Sequence, residues 1–245
     1  MASLSKIMTK GKALYLAYDQ GLEHGPVDFN DKNVDPQYII DIANRTKLNG
    51  VIYQKGIAEK YKNGKTPLII KLNGKTSLVR GDPVSRQLCE VKEAIKLGAR
   101  AAGYTIYVGS KHENIMFREF EKIEREAHKK NIPVILWAYP RGEGVKNPLN
   151  KDILAYSARV ALELGADMAK LSYNGKIEDL KWVVKSAGRC KVVIAGGTKK
   201  SEDNFYKDVK DIMKTGATGI AVGRNVWQSK TPDRVIEKLN KIIWS

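Results

Sequence analysis

The chain has 245 residues, 42% of them apolar, with 43 Lys+Arg against 27 Asp+Glu and a formal charge of +16. That apolar content and the mixing of both charge signs exclude a disordered chain, and no apolar run approaches the length of a membrane span. Cys89 and Cys190 stand far apart and form no CxxC pair, which predicts a reducing, cytoplasmic setting without a disulfide framework.

The first twenty residues, MASLSKIMTKGKALYLAYDQ, lack the apolar core and cleavage site of a secretory leader. From residue 13, short β-rich runs alternate with amphipathic helical runs. ALYLAY (13–18) is the first strand and DPQYIIDIANRT (35–46) the first full helix. GVIY (50–53) follows, then a short, weak helical segment near AEKYKN, then PLIIKL (67–72) and a helix over SRQLCEVKEAIKLG (85–98). AAGYTIY (101–107) precedes the helix FREFEKIEREAHKK (117–130), and PVILWAY (133–139) precedes DILAYSARVALELG (152–165). DMAKLSY (167–173), KVVIA (191–195) and GIAV (219–222) are the remaining strands, and PDRVIEKLNKI (232–242) is the last helix.

Eight strands in this length give a unit of about 31 residues, the repeat of a (β/α)8 barrel. Strands that are apolar throughout fit a parallel sheet under a layer of helices. Three helical runs end alike, in KLGA (96–99), ELGA (163–166) and KTGA (214–217), each placing Gly where a C-cap belongs. No linker or low-complexity segment divides the chain. The expectation is an α/β fold, a single (β/α)8 TIM barrel domain over 1–245, with residues 1–12 as an N-terminal extension. An open doubly wound sheet would carry a Gly-rich turn after its first strand, and YDQGLEHGP is not GxGxxG.

In a barrel, chemistry gathers at the C-terminal strand ends. The first strand ends in Tyr18-Asp19-Gln20-Gly21, followed by Glu23, His24 and Asp28. The third carries Lys71 and Asn73, and the fifth ends in Trp137, Tyr139, Pro140 and Arg141. The sixth carries Lys170, Ser172 and Tyr173. The seventh ends in Ala195-Gly196-Gly197-Thr198 and the eighth in Gly223-Arg224-Asn225. Glycine-bearing ends after strands seven and eight are a common phosphate cradle, with NVWQ (225–228) placed to start the accompanying short helix. Arg224 can pair with a phosphate as a planar fork.

Metal chemistry is poorly supplied: His24, His112 and His128 form no HxH or HExxH, and there is no Cys/His cluster. No GxSxG supports a serine nucleophile. Lysine remains. An amine in an apolar, electropositive pocket loses its proton readily and can form a Schiff base with a carbonyl. Alternation puts Met168, Lys170 and Ser172 on one face of strand six, and Ala169, Leu171 and Tyr173 on the other. Lys71 in LIIKLNG is an equal candidate on spacing alone. The lysines of EKIEREAHKKN (121–131) and KSEDNFYKDVKDIMK (200–214) are interleaved with acids, and no nucleic-acid-binding motif is present. The basic balance would still attract a phosphorylated substrate.

Seven blocks carry a resemblance: AYDQGLEHGP, QKGIAEKY, LIIKLNGKTSL, GYTIYVGS, WAYPRG, ARVALELGADMAKLSYNG and GIAVGRNVWQ. In order, from about residue 13 to residue 228, they resemble the archaeal-type class I fructose-1,6-bisphosphate aldolases. The resemblance implies a metal-independent, cofactor-free aldolase on a (β/α)8 barrel, with Lys170 rather than Lys71 as the Schiff-base lysine. It makes Tyr139 the proton donor and acceptor and Asp19 the carboxylate that contacts substrate hydroxyls. Trp137 would shape the wall, and Arg141 and His24, with Asp28 nearby, would hold one end of a sugar phosphate. Ala195, Gly196, Gly197, Gly223 and Arg224 would hold the other phosphate, with Gln20, Leu171 and Ser172 completing the substrate contacts.

The family also implies a cytoplasmic homo-oligomer, a pentamer or decamer, with a phosphorylated sugar as substrate and no nucleic-acid or membrane partner. The chain departs from the family pattern at Gln20 (often His), Ser172 (basic), Ala195 (Ser) and Thr198 (Pro), which bears on substrate choice more than on reaction type. Two alternatives stand beside this reading. One is a sister Schiff-base lyase of the 2-amino-3,7-dideoxy-D-threo-hept-6-ulosonate synthase type. The other is a non-catalytic basic barrel that binds nucleic acid.

Overall fold

A computed structural model describes residues 2–245. The strands are β1 (Ala13–Ala17), β2 (Gly50–Gln54), β3 (Leu68–Lys71), β4 (Ala99–Val108), β5 (Val134–Pro140), β6 (Met168–Leu171), β7 (Lys191–Ala195) and β8 (Gly219–Val222). All neighbours pair in parallel, and β8 closes on β1, so the sheet is a barrel without free edges. The helices that follow the strands in turn are α1 (Pro36–Arg45), α2 (Lys55–Lys60), α3 (Val91–Lys96) and α4 (Glu113–Lys129). The second half adds α5 (Lys151–Glu163), α6 (Ile177–Ser186), α7 (Glu202–Met213) and α8 (Pro232–Ile243). This is the (β/α)8 TIM barrel that the strand count predicts.

Strand alternation divides the core in two. Tyr15, Ile52, Ile69, Ile135, Trp137, Met168 and Val193 fill the barrel interior. Their sequence neighbours, such as Leu14, Leu16, Ala169 and Leu171, pack between sheet and helices. Residues 2–12, expected as an extension, run under the barrel. Ile7 is fully buried in the inner cluster, and the Tyr15 hydroxyl donates to its carbonyl at 3.0 Å.

The predicted helix caps form: Gly98, Gly165 and Gly216 have φ of 88°, 83° and 86°, the left-handed conformation that ends a helix most readily at glycine. The predicted helix over 85–98 is shorter than expected. Arg86–Gln87 pairs antiparallel with Asn73–Gly74 instead. Glu90 and Glu93 then make a reciprocal capping box, which starts α3 at Val91. The short helix Arg224–Trp227 forms where NVWQ suggests one.

Every helix runs antiparallel to its strand, so its first turn lies at the catalytic end. First turns carry Glu113, Asp152, Glu178, Asp179, Glu202, Asp203 and Asp233; last turns carry Lys60, Lys96, Lys129, Lys185, Lys210 and Lys241. These signs complement the helix dipoles. They also put much of the positive surplus at the barrel end away from the strand C-termini, so net charge alone does not draw an anion to the catalytic end. Among the described residues no helix is long and apolar enough to cross a membrane.

Candidate active site

Lys170 is the third residue of a four-residue strand held between β5 and β7, directly opposite Trp137 and Val193. Met168 points into the barrel, so alternation turns Lys170 inward as well. Its side chain is 5% exposed, and Nζ lies 4.7 Å from the centroid of the Trp137 ring. Burial pushes its pKa down to about 8; Asp19 opposes that shift and Lys71 adds to it.

Asp19, just beyond β1, accepts an ion pair from Lys71 Nζ at 3.5 Å, both side chains being buried. Burial alone would raise the Asp19 pKa, but Lys170, Lys71 and the backbone outweigh it and hold the carboxyl below its usual range. The two lysines are therefore unlike. Lys71 is committed to a carboxylate, whereas among the described residues Lys170 has none within ion-pair distance. Geometry thus separates two residues that sequence spacing leaves level.

Tyr139 lies two residues after Trp137 on β5, pairing with Tyr107 of β4. Desolvation, reinforced by Asp19, raises its pKa well above the ordinary phenol value, with Arg141 acting the other way. The hydroxyl is neutral at physiological pH and can donate a proton. Trp137 fits because Gly103 faces it: a Cβ there would come within 2.3 Å of the indole. The buried donors Trp137 Nε1 and Gln20 Nε2 have no protein partner, and both residues border the cavity.

Cations stand at two ends of the cavity. At one end the Arg141 guanidinium lies 5.4 Å over the Tyr107 ring and 5.9 Å over the Tyr139 ring, and donates to Glu23 at 2.6 Å. At the other, Arg224 begins the short helix after β8. Its Nη1 reaches Asp28 Oδ1 at 3.3 Å, while His24 Nδ1 lies 2.8 Å from Asp28 Oδ2. The His24 and Arg224 contacts hold the Asp28 carboxyl below its usual range despite burial, so the carboxylate is the acceptor and His24 donates from Nδ1. Among the described residues His24 Nε2 has no hydrogen-bond partner.

Two glycine ends complete this side. Gly197 has φ 69°, and a Cβ at Gly223 would lie 2.9 Å from the Ala17 carbonyl oxygen. Asn225 ties the two loops together. Its Nδ2 donates to Gly196 O and Thr198 O, both at 2.9 Å, and its Oδ1 accepts from the Lys200 amide at 2.9 Å. The amide is 2% exposed and fully used, which makes it a staple for backbone N–H groups that can face an anion.

One cavity of about 310 Å³ joins these groups. Of the predicted residues, Asp19, Gln20, His24, Trp137, Tyr139, Arg141, Lys170, Ser172, Ala195, Gly196, Gly197, Gly223 and Arg224 line it. Leu171 does not: the neighbour of an inward lysine on a strand must face outward, and its side chain is fully buried against the helices. Asp28 also lies outside the lining and acts behind it, on His24 and Arg224. Sequence reading places Glu23 and Asn225 at strand ends without finding what each side chain holds, and it misses the Pro148–Leu149 wall of the cavity. Glu23 and Asn225 sit in strand-end segments where such residues are expected; Pro148 and Leu149 carry no comparable signal.

A readily deprotonated amine, a neutral phenol and an ionised carboxylate in an apolar pocket between two cationic ends suit carbonyl chemistry on a phosphorylated compound. The family model of the DeoC/LacD family aldolases matches residues 13–229. The chain belongs to the DeoC/LacD aldolase family. It is 49% identical, over 96% of its own length and 90% of the other protein's, to a class 1 fructose-bisphosphate aldolase of Thermoproteus tenax. It is 30% identical, over 99% and 90%, to a 2-amino-3,7-dideoxy-D-threo-hept-6-ulosonate synthase of Halobacterium salinarum. Among solved structures it superposes with a TM-score of 0.95 on an archaeal fructose-1,6-bisphosphate aldolase whose catalytic Lys is covalently bound to the substrate's carbinolamine intermediate. The two are 46% identical, covering 99% and 98% of the chains. In this aldolase the barrel and the resemblance read from the seven sequence blocks therefore stand.

Proposed function

We propose that this aldolase is a class I fructose-1,6-bisphosphate aldolase with Lys170 as its Schiff-base lysine. The observation that carries this reading is the Lys170 amine: buried, unpaired and easily deprotonated, beside Tyr139 and Asp19. Its free pair attacks C2 of the open-chain ketose, and the carbinolamine loses water to give an iminium. Tyr139 supplies and takes the protons at the oxygen that leaves. The proton of the C4 hydroxyl is removed, the C3–C4 pair moves toward the iminium, and glyceraldehyde 3-phosphate departs. The enamine is protonated at C3, and water releases dihydroxyacetone phosphate and restores the amine.

Asp19 contacts the substrate hydroxyls, and Trp137 forms the apolar wall. Arg141 holds the phosphate of the aldehyde half, and His24, tied through Asp28 to Arg224, stands on the side of the ketone half. The Gly196–Gly197 and Gly223–Arg224 ends hold the phosphate of the ketone half, with Gln20, Ser172 and Ala195 filling the sides. Cations at both ends favour a substrate that carries two phosphates. Incubated with fructose 1,6-bisphosphate and EDTA, the protein should release the two triose phosphates in equal amounts. Absence of cleavage, or inhibition by EDTA that zinc reverses, would contradict the reading.

The pH dependence has a definite sign. Only the unprotonated amine is a nucleophile, so the rate of imine formation should rise with pH and level off above about 8. Initial rates of borohydride-trapped adduct measured from pH 6 to 10 check this; a midpoint near the ordinary lysine value would contradict it. The reading also includes a cytoplasmic homo-oligomer, pentameric or decameric, with no nucleic-acid or membrane partner. Tyr156 of α5 and Trp182 of α6, 66% and 49% exposed, support an assembled state by leaving apolar surface uncovered.

A further inference from the structure

Glu23 has no role in the chemistry above, yet it is placed with care. It lies in the short helix Gly21–His24 after β1. The Ser77 amide donates to its carbonyl at 2.9 Å, which fixes the backbone. Its side chain is 14% exposed, and the carboxylate accepts from Arg141 Nη1 at 2.6 Å. The partner arginine is 48% exposed. A half-exposed arginine on a loop loses much rotamer freedom when it must hold one pose. Two features hold this one: the rings of Tyr107 and Tyr139 beneath the guanidinium, and Glu23 at one of its edges.

The contact uses Nη1 alone, and among the described residues Arg141 side-chain nitrogens make no other hydrogen bond. Nε and Nη2 are left for a ligand. Burial would neutralise Glu23, but Arg141 first, then Lys71 and Lys75, keep its carboxyl below the usual range, so it stays a charged anchor at neutral pH. A carboxylate at the rim of an anion site also repels a misplaced dianion. The phosphate is thereby confined to the free edge of the guanidinium.

We infer that Glu23 is a positioning residue that fixes Arg141 for the second phosphate of a bisphosphate substrate. It thereby sets the preference for a bisphosphate over a monophosphate ketose. This rests on Arg141 meeting the phosphate of the aldehyde half.

The test compares fructose 1,6-bisphosphate with fructose 1-phosphate in wild type, Glu23→Ala, Glu23→Gln and Arg141→Ala. Glu23→Ala should lower the ratio of kcat/KM for bisphosphate over monophosphate by about tenfold, carried by KM for the bisphosphate. Glu23→Gln, which keeps an acceptor for Nη1, should recover most of that ratio. An equal loss on both substrates, or a lower KM for the bisphosphate in Glu23→Ala, overturns the inference. Arg141→Ala separates the two layers. If it leaves the ratio at the wild-type value, the placement of the phosphate itself is wrong. If it lowers the ratio and Glu23→Ala does not, only the role of Glu23 fails.

Discussion

Lys170→Met should lower fructose 1,6-bisphosphate cleavage at least about 10⁴-fold, because no other group in the cavity can form the imine. Lys71 cannot substitute, since its amine is tied to Asp19 at 3.5 Å. The variant should be folded, and more stable than the parent. The folded-state pKa of Lys170 is lowered to about 8 from 10.5, so the native state carries a buried-cation penalty at all pH values below about 8. That penalty fades as pH rises from about 8 toward the unfolded value. A shift of this size corresponds to about 3 kcal/mol. Replacing the amine by a thioether removes the penalty, so the gain in unfolding free energy should be largest below pH 8 and shrink above it. Denaturant titrations at pH 7 and pH 10, run beside the activity assay, check both parts. A variant that is inactive and also unfolded would say nothing of imine chemistry. One that is stable yet retains turnover would remove Lys170 from the mechanism.

Tyr139→Phe has the second large effect. The phenylalanine ring keeps the wall beside Trp137 and the face under Arg141, and removes only the hydroxyl. The loss in kcat should be about 10²–10⁴-fold, the usual worth of a positioned acid–base group. Binding of dihydroxyacetone phosphate should survive. Single-turnover experiments should therefore find slow adduct formation and slow exchange of the C3 proton, with near-normal affinity. A variant that loses affinity and rate together would point to a wall residue rather than a proton carrier.

Much of this was legible in the residues, for identifiable reasons. Strand alternation is a local rule, so the inward direction of Lys170 follows from Met168 beside it. Glycines after KL, EL and KT mark helix ends because the left-handed conformation that closes them is cheap only there. By the same alternation Leu171, beside Lys170, turns its side chain to the opposite face of the sheet. The stretch 85–98 has helical periodicity throughout, but the ladder with Asn73–Gly74 is a tertiary contact no local pattern encodes.

The charge pairs were hidden for a related reason. Glu23 and Arg141 are 118 residues apart, and Asp28 and Arg224 are 196 apart. Only barrel closure brings them together. Sequence shows that cations exist at several strand ends; it does not show which carboxylate holds each one. Spacing leaves Lys71 and Lys170 level for the same reason, since the physical distinction between them is the carboxylate at Lys71; only the family resemblance ranks them.

Borohydride reduction of the protein with dihydroxyacetone phosphate, followed by peptide mass spectrometry, tests the central claim most directly. The account predicts one adduct of the reduced triose phosphate, on the peptide carrying Lys170, formed at wild-type yield with EDTA present. An adduct on Lys71, or none on any lysine, would contradict it.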